Sequence, residues 1–197
     1  GPSFYIEDTL LTSRLQRMDV QGTAIAWNES GDRLLVVRGA GANELALGWL
    51  SMSDGSFEQE IAYPSTAPYQ GPYALSPDQH TLLFGDGPLA TSCDSVYEYA
   101  MGSHEPIKVF LTGSCFPAWS PDGSRVAYLA KGDGPADRLF VIRSDGSDPQ
   151  PFFPGGEPSG LGAPAWSHDG SLLGFTFRST ANVAAVFVAD VPRRFRD

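Results

Sequence analysis

The residues of this chain whose side chains could most readily take part in catalysis or metal binding are three histidines, two cysteines and the aspartates of glycine-rich turns. His80, His104 and His168 occupy or neighbour turns, and no H-E-x-x-H or C-x-x-C spacing brings metal ligands together. No G-x-S-x-G segment is present, so the sequence holds no serine-hydrolase nucleophile elbow. We therefore expect no enzyme activity, no cofactor, no catalytic residue and no metal site in these 197 residues.

The aspartates fit a structural role better than a catalytic one. In Ser120-Pro121-Asp122-Gly123, proline presets φ, aspartate bonds its own backbone, and glycine supplies the positive φ of a tight turn. The segment predicts a hairpin that reverses the chain between two strands.

This turn belongs to a unit that recurs four times at intervals of 44 to 48 residues. Each copy has a short apolar stretch, the polar turn and an apolar strand, and a period in the forties is typical of propeller blades. The copies begin at Ala26-Trp27, Ala74-Leu75, Ala118-Trp119 and Ala165-Trp166. The recurring tryptophans are expected to pack between blades.

The Trp-Ser-Pro-Asp-Gly-Ser turn, the strand Arg125-Val126-Ala127-Tyr128 and the later Ser144-Asp145-Gly146-Ser147 turn resemble TolB-type, WD-like propeller repeats. The resemblance implies an all-β protein, a β-propeller with four blade repeats of four antiparallel strands. We expect one domain, with repeats at approximately 22–67, 68–113, 114–160 and 161–191 and a tail at 192–197.

The sequence is compatible with both a closed ring of blades and an open arc. Residues 1–21 resemble strands of a preceding or closing blade, while Val186-Phe187-Val188-Ala189-Asp190 resembles a third strand without a fourth. The repeats form either a small closed ring or an arc completed by a second chain or by a longer protein, so a homodimer is one expected partner state.

The predicted blades place both cysteines on one face. Cys93 falls in a loop between second and third strands, and Cys115 lies just before the first strand of the next repeat. A disulfide between them is expected, which indicates an oxidising compartment, periplasmic or extracellular at the cell envelope. The alternative is two unpaired, half-buried thiols of a cytosolic protein.

The long loops collect on that same face and form the candidate ligand-binding surface. Its predicted residues are Arg38, Tyr69, Gln70, Asp86, Lys131, Asp133 and Arg178. Solvated loop ends explain the same residues equally well.

The net charge and the hydropathy of the chain argue against two classes of interaction, nucleic-acid binding and insertion into a membrane. The net charge of −10 opposes a nucleic-acid backbone, and no apolar run reaches the length of a membrane span. The basic cluster Arg193-Arg194-Phe195-Arg196 is expected to be a solvated end or linker.

Three functions remain open. The resemblance to the TolB-like family, whose members often serve as envelope adaptors, favours an extracytoplasmic protein-binding, scaffold or sensor module that takes a protein or peptide ligand. The second is the substrate-gating propeller of a larger prolyl oligopeptidase-type serine peptidase. The third is a propeller that binds carbohydrate or a small molecule.

Overall fold

A computed structural model describes residues 22–64, 72–85, 94–131, 137–153, 162–178 and 184–196. Within it the chain divides into two compact units, residues 1–67 and 68–197. All the regular structure of the described ranges is β-strand, except for one short 3₁₀ helix at Arg193–Phe195. No helix in these ranges has the length and apolarity needed to cross a membrane.

The first unit is built on one four-stranded antiparallel sheet in the order β1-β2-β3-β4. Its strands are β1 Gly22–Trp27, β2 Arg33–Gly41, β3 Glu44–Ser51 and β4 Phe57–Pro64. The inner strand β3 pairs with β2 on one edge and with β4 on the other, and it is buried from Ala46 to Leu50.

The second unit contains three sheets, each with its strands in chain order or the exact reverse. The first of these sheets comprises β5 Tyr73–Leu75, β6 Thr81–Gly85, β7 Ser95–Ala100 and β8 Lys108–Thr112. The next comprises β9 Ser114–Trp119, β10 Arg125–Lys131, β11 Asp137–Arg143 and β12 Gln150–Pro151. The last comprises β13 Ala165–Trp166, β14 Leu172–Arg178 and β15 Ala184–Asp190. These meandering antiparallel sheets confirm the predicted all-β architecture of propeller blades.

Apolar side chains of consecutive sheets in the second unit pack against each other. One buried cluster joins Leu83 and Val96 to Val126 and Ile142 of the following sheet. A second cluster joins strands β10 and β11 to Leu173 and Phe175 of the last sheet. The core therefore lies between the sheets, as blade stacking requires.

The predicted turns form as their residue types dictate. In the third repeat the N–H of Gly123 donates to the carbonyl of Ser120 at 2.9 Å, and the N–H of Arg125 donates to Ser120 Oγ at 2.9 Å. In the first repeat, which lacks this serine, Asn28 Oδ1 accepts from the N–H of Arg33 at 2.9 Å. Either a serine or an asparagine at this position therefore closes the turn, because its short polar side chain accepts a hydrogen bond from a backbone N–H later in the turn.

The expectation of a solvated C-terminal segment is correct for Arg193, Arg194 and Arg196, which are exposed, but wrong for Phe195. Phe195 is 3% exposed and stacks on Phe152 with ring centroids 6.1 Å apart. Arg194 donates to the carbonyl of Phe152 at 3.2 Å, and Arg196 donates to that of Ser171 at 3.0 Å. Burial of the Phe195 side chain fixes the segment against the core, and the arginines donate hydrogen bonds to backbone carbonyls. The basic composition of the segment alone therefore did not predict its position.

Candidate binding face

Tryptophans tie successive sheets of the second unit together. Trp119 Nε1 donates to the carbonyl of Ala74 at 3.1 Å, and Trp166 Nε1 donates to that of Ala118 at 3.0 Å. Each acceptor is the residue just before the equivalent position of the preceding repeat. The prediction that these tryptophans pack between blades is confirmed for Trp119 and Trp166, and the indole N–H adds a directional link to it.

The turns of neighbouring sheets also meet. Gly123, at φ +72°, and Gly170, at φ +68°, both need the left-handed conformation that glycine adopts freely. A Cβ on Gly123 would lie 3.7 Å from Pro77, and one on Gly170 would lie 3.7 Å from Pro121. The turns at 76–80, 120–124 and 167–171 therefore form one stepped surface, called here the turn face.

Among the described residues, a groove opens on the turn face at each of these two steps. The larger, about 450 Å³, is lined by Asp122, Trp166, His168, Asp169 and Arg196, among other residues. The smaller, about 280 Å³, has Asp78, Trp119, Asp122 and Asp145 along it. Each groove thus combines an indole with carboxylates from adjacent turns.

The carboxylates of these grooves are engaged in their own turns. Asp169 Oδ1 accepts from Ser167 Oγ at 2.6 Å and from the N–H of Ser171 at 3.0 Å. The side-chain hydrogen bond from Ser167, followed by the bonds from Ser171, holds the pKa of Asp169 well below its usual range. Burial raises the pKa of Asp122, but hydrogen bonds from Ser120 and Ser124 outweigh it and leave the pKa lowered.

A carboxylate with a lowered pKa is a weak general base, because it holds a proton poorly near neutral pH. The prediction that these aspartates build turns is confirmed by their bonds. Among the described residues, no group of three or more His, Cys, Asp or Glu side chains is arranged to hold a metal ion.

Three of the predicted binding residues, Arg38, Lys131 and Arg178, belong to the described strands, and none of them is among the residues that line the two grooves. Arg38 is half-buried in β2, where its guanidinium stacks 3.8 Å from the centroid of the Phe57 ring and its Nε lies buried without a hydrogen bond. Lys131 ends β10 and Arg178 ends β14, both at the strand ends away from the turn face. Tyr69, Gln70, Asp86 and Asp133 lie outside the described residues. The surface as a whole stays a prediction.

The predicted disulfide also stays a prediction. Cys115 lies in β9 and is 1% exposed, within the cluster formed by Leu129 and Leu139. Cys93 lies outside the described residues.

Sequence reasoning missed the grooves. It assigned Trp119 and Trp166 to the packing between blades and the aspartates to turns, which is correct for each of these residues taken alone. The missed signal is their proximity in sequence, because Trp166 and Asp169 are close enough for the indole and the turn to share one surface. Nothing in the sequence indicated that Arg196 would reach the same groove.

No protein-family model matches the chain. A sequence relative is the uncharacterized peptidase YuxL of Bacillus subtilis strain 168, 31% identical over 78 residues. The match takes in 40% of this chain and only 12% of that protein.

Solved structures extend the comparison to the whole fold. TolB from Acinetobacter baumannii superposes with a TM-score of 0.67 at 15% identity, over 87% of this chain and 41% of TolB. An oligogalacturonate lyase in complex with manganese gives 0.61 at 19% identity, over 86% of this chain and 49% of the lyase. A prolyl endopeptidase gives 0.55 at 14% identity, over 89% of this chain and 28% of the endopeptidase.

These relatives correct the expectation of a protein without enzyme activity. A peptidase resembles the chain in sequence, and a lyase and a prolyl endopeptidase resemble it in structure, so that expectation is wrong. These 197 residues correspond to a fraction of each of these longer proteins, so an active-site motif of such a protein need not lie within them. The repeats, the meandering sheets and the structural neighbours together show that the chain has a β-propeller fold similar to that of TolB.

Proposed function

We propose that this propeller is the substrate-gating part of a larger serine peptidase of the prolyl oligopeptidase type. The observation that carries the proposal is the 31% identity with the peptidase YuxL. The likeness in fold to a prolyl endopeptidase supports it.

The chemistry of the turn face agrees with a gating role. Its carboxylates are committed to their turns, and the sequence lacks a G-x-S-x-G elbow, so the nucleophile would come from sequence outside these 197 residues. The propeller would supply a rigid wall that admits peptides and excludes folded proteins.

The rigidity of that wall has a structural basis in the second unit. Indole-to-carbonyl bonds and buried apolar clusters join its three sheets in series. A sheet held on its neighbour in this way resists opening, and resistance to opening is what a size filter requires.

The test uses the full-length gene product that carries this chain, together with the chain alone. A fluorophosphonate probe should label a serine in the full-length product and leave the isolated chain unlabelled. Without the probe, the full-length product should cleave a short proline-containing peptide faster than an unfolded protein, and labelling should abolish this cleavage. A full-length product that takes up no probe overturns the proposal.

A second candidate is a protein-binding, scaffold or sensor propeller of the cell envelope, favoured by the TolB likeness over 87% of the chain. The predicted loop surface would then be the ligand surface. Immobilised wild-type chain should retain a protein from an envelope extract, and Arg38→Glu should lose it. Arg193→Glu, on the exposed C-terminal segment, is the matched control.

The envelope location depends on the proposed Cys93–Cys115 bond. Under denaturing conditions iodoacetamide should modify neither cysteine before reduction and both after it. Modification of both without reduction contradicts the bond and removes the argument for an oxidising compartment.

A further inference from the structure

The last sheet, β13–β15, packs one of its faces on the preceding sheet and exposes valines on the other. In the pairing of β14 with β15, Val188 lies opposite Gly174 and Val186 opposite Thr176, so these four residues share one face. Val186 is 75% exposed and Val188 63%. All four residues are uncharged, although the chain carries a net charge of −10. An uncharged sheet face with exposed valines indicates an interaction surface.

The same face is buried in the preceding sheet, where another sheet follows. Val141 lies opposite Ala127 in that sheet, and it is the counterpart of Val188 opposite Gly174 in the last one. Val141 is 0% exposed, because it belongs to the apolar cluster that contains Leu173 of the last sheet. The exposed face of the last sheet therefore corresponds to the face that carries a following sheet elsewhere in the second unit.

A following sheet in this unit also brings an indole donor. Trp119 Nε1 donates to the carbonyl of Ala74, and Trp166 Nε1 donates to that of Ala118. The next acceptor in this series is the carbonyl of Ala165, an exposed residue of the last sheet. A partner that continues the series must therefore present a tryptophan at the equivalent place of its own sheet.

The first repeat of this chain presents such a tryptophan. Trp27 lies opposite Leu34 in its sheet, as Trp119 lies opposite Val126. Trp27 is 46% exposed, and its Nε1 donates to no described residue. One copy of the chain thus carries both halves of a stacking contact, the indole and the face with its carbonyl, and a second copy can complete each half.

We propose that two copies of this chain associate head to tail, with Trp27 of one copy packed on the exposed face of the last sheet of the other. The Nε1 of Trp27 then donates to the carbonyl of Ala165. The contact is heterologous, because it joins different surfaces of the two copies. It does not depend on the proposed peptidase role. In the dissociated chain Trp27 is solvent-exposed, so the contact governs association and leaves the stability of the single chain unchanged.

Two variants each block one half of the contact. Trp27→Glu places a charge on the indole half, and Val186→Glu/Val188→Glu places charges on the sheet half. Each should raise the dimer dissociation constant by about tenfold or more, because a carboxylate without a partner would be buried. Val109→Glu, on an exposed valine of β8, is the matched control and should leave the dimer intact.

Mixing the two blocked variants tests the head-to-tail arrangement. The valine variant retains Trp27, and the Trp27→Glu variant retains the exposed face of the last sheet. An equimolar mixture should therefore form a heterodimer through one intact contact. A contact between identical surfaces would gain nothing from mixing.

The readout is sedimentation velocity in reducing buffer, which excludes intermolecular disulfides, with circular dichroism to confirm folding. A wild-type chain that stays monomeric at about 100 μM overturns the proposal, because another segment or protein then covers the face. A dimer that survives either blocked variant overturns it as well, and so does a mixture of folded variants that stays monomeric.

Discussion

The indole Nε1 of Trp166 donates a hydrogen bond to the carbonyl of Ala118, 3.0 Å away in the preceding sheet. Trp119 makes the same bond to Ala74 one repeat earlier, at 3.1 Å. The two bonds show that the third and the fourth repeat are each anchored to the preceding repeat at one fixed point, in addition to apolar packing.

Replacing Trp166 by phenylalanine keeps an aromatic ring and removes the donor. We expect Trp166→Phe to lower the free energy of unfolding by about 1–3 kcal/mol, because the carbonyl of Ala118 loses its partner. Urea unfolding followed by circular dichroism measures the change. Trp27→Phe, at the equivalent but 46% exposed position of the first repeat, should change stability by less than about 0.5 kcal/mol. Equal effects at both sites would contradict the anchoring role.

The second repeat has glutamine where the third and fourth have glycine. Gln79 adopts φ +63°, a conformation that costs a non-glycine residue about 1–2 kcal/mol. Gln79→Gly should therefore stabilise the protein by about 0.5–1 kcal/mol, after the greater entropy loss of glycine on folding is subtracted. Thermal unfolding should show a higher Tm for Gln79→Gly and a lower one for Gly123→Ala, whose φ is +72°. A lower Tm for Gln79→Gly would contradict the strain.

The turn aspartates predict how stability depends on pH. The backbone hydrogen bond from Ser56, then side-chain bonds from Ser51 and Ser56, lower the pKa of Asp54 to about 2. A folded-state pKa below the unfolded value means that the unfolded chain binds the proton more readily, so stability falls as pH drops from about 4 towards 2.

The measurement is the urea midpoint between pH 5 and 2 for wild type and for Ser56→Ala. Loss of the Ser56 hydroxyl should flatten this acid dependence, since one of the bonds that lower the pKa of Asp54 is removed. Ser103→Ala is the control, because the Ser103 hydroxyl donates to a backbone carbonyl. If the urea midpoint of Ser56→Ala falls with pH as steeply as that of the wild type, the Ser56 hydroxyl has no part in the acid dependence of stability.

The C-terminal segment is expected to contribute to the core. Phe195→Ala removes a ring that is 3% exposed and stacked on Phe152, and should cost about 3–5 kcal/mol of unfolding free energy. Arg193→Ala, on an exposed side chain of the same short helix, should change stability by less than about 0.5 kcal/mol. A small loss in Phe195→Ala would show that the segment docks without stabilising the fold.

The architecture was predictable from the sequence because its signals are local and repeated. A turn such as Ser120-Pro121-Asp122-Gly123 selects its own backbone conformation, and four copies of it at a constant spacing indicate sheets of one kind. The structural role of Asp122 followed from the same chemistry, since its hydrogen-bond donors are two residues away on either side.

Contacts between distant segments were not predictable in this way. Phe195 is buried because it packs into the apolar cluster that contains Phe152, and no local pattern in Arg193-Arg194-Phe195-Arg196 indicates those distant contacts. The grooves of the turn face likewise exist only where the turns of successive sheets meet, as at Trp166 and Asp122. The sequence alone therefore determined which segments become strands and turns, since those choices depend on neighbouring residues. The tertiary structure decided which surfaces those strands bury and which they leave open, because burial depends on residues far apart in the chain.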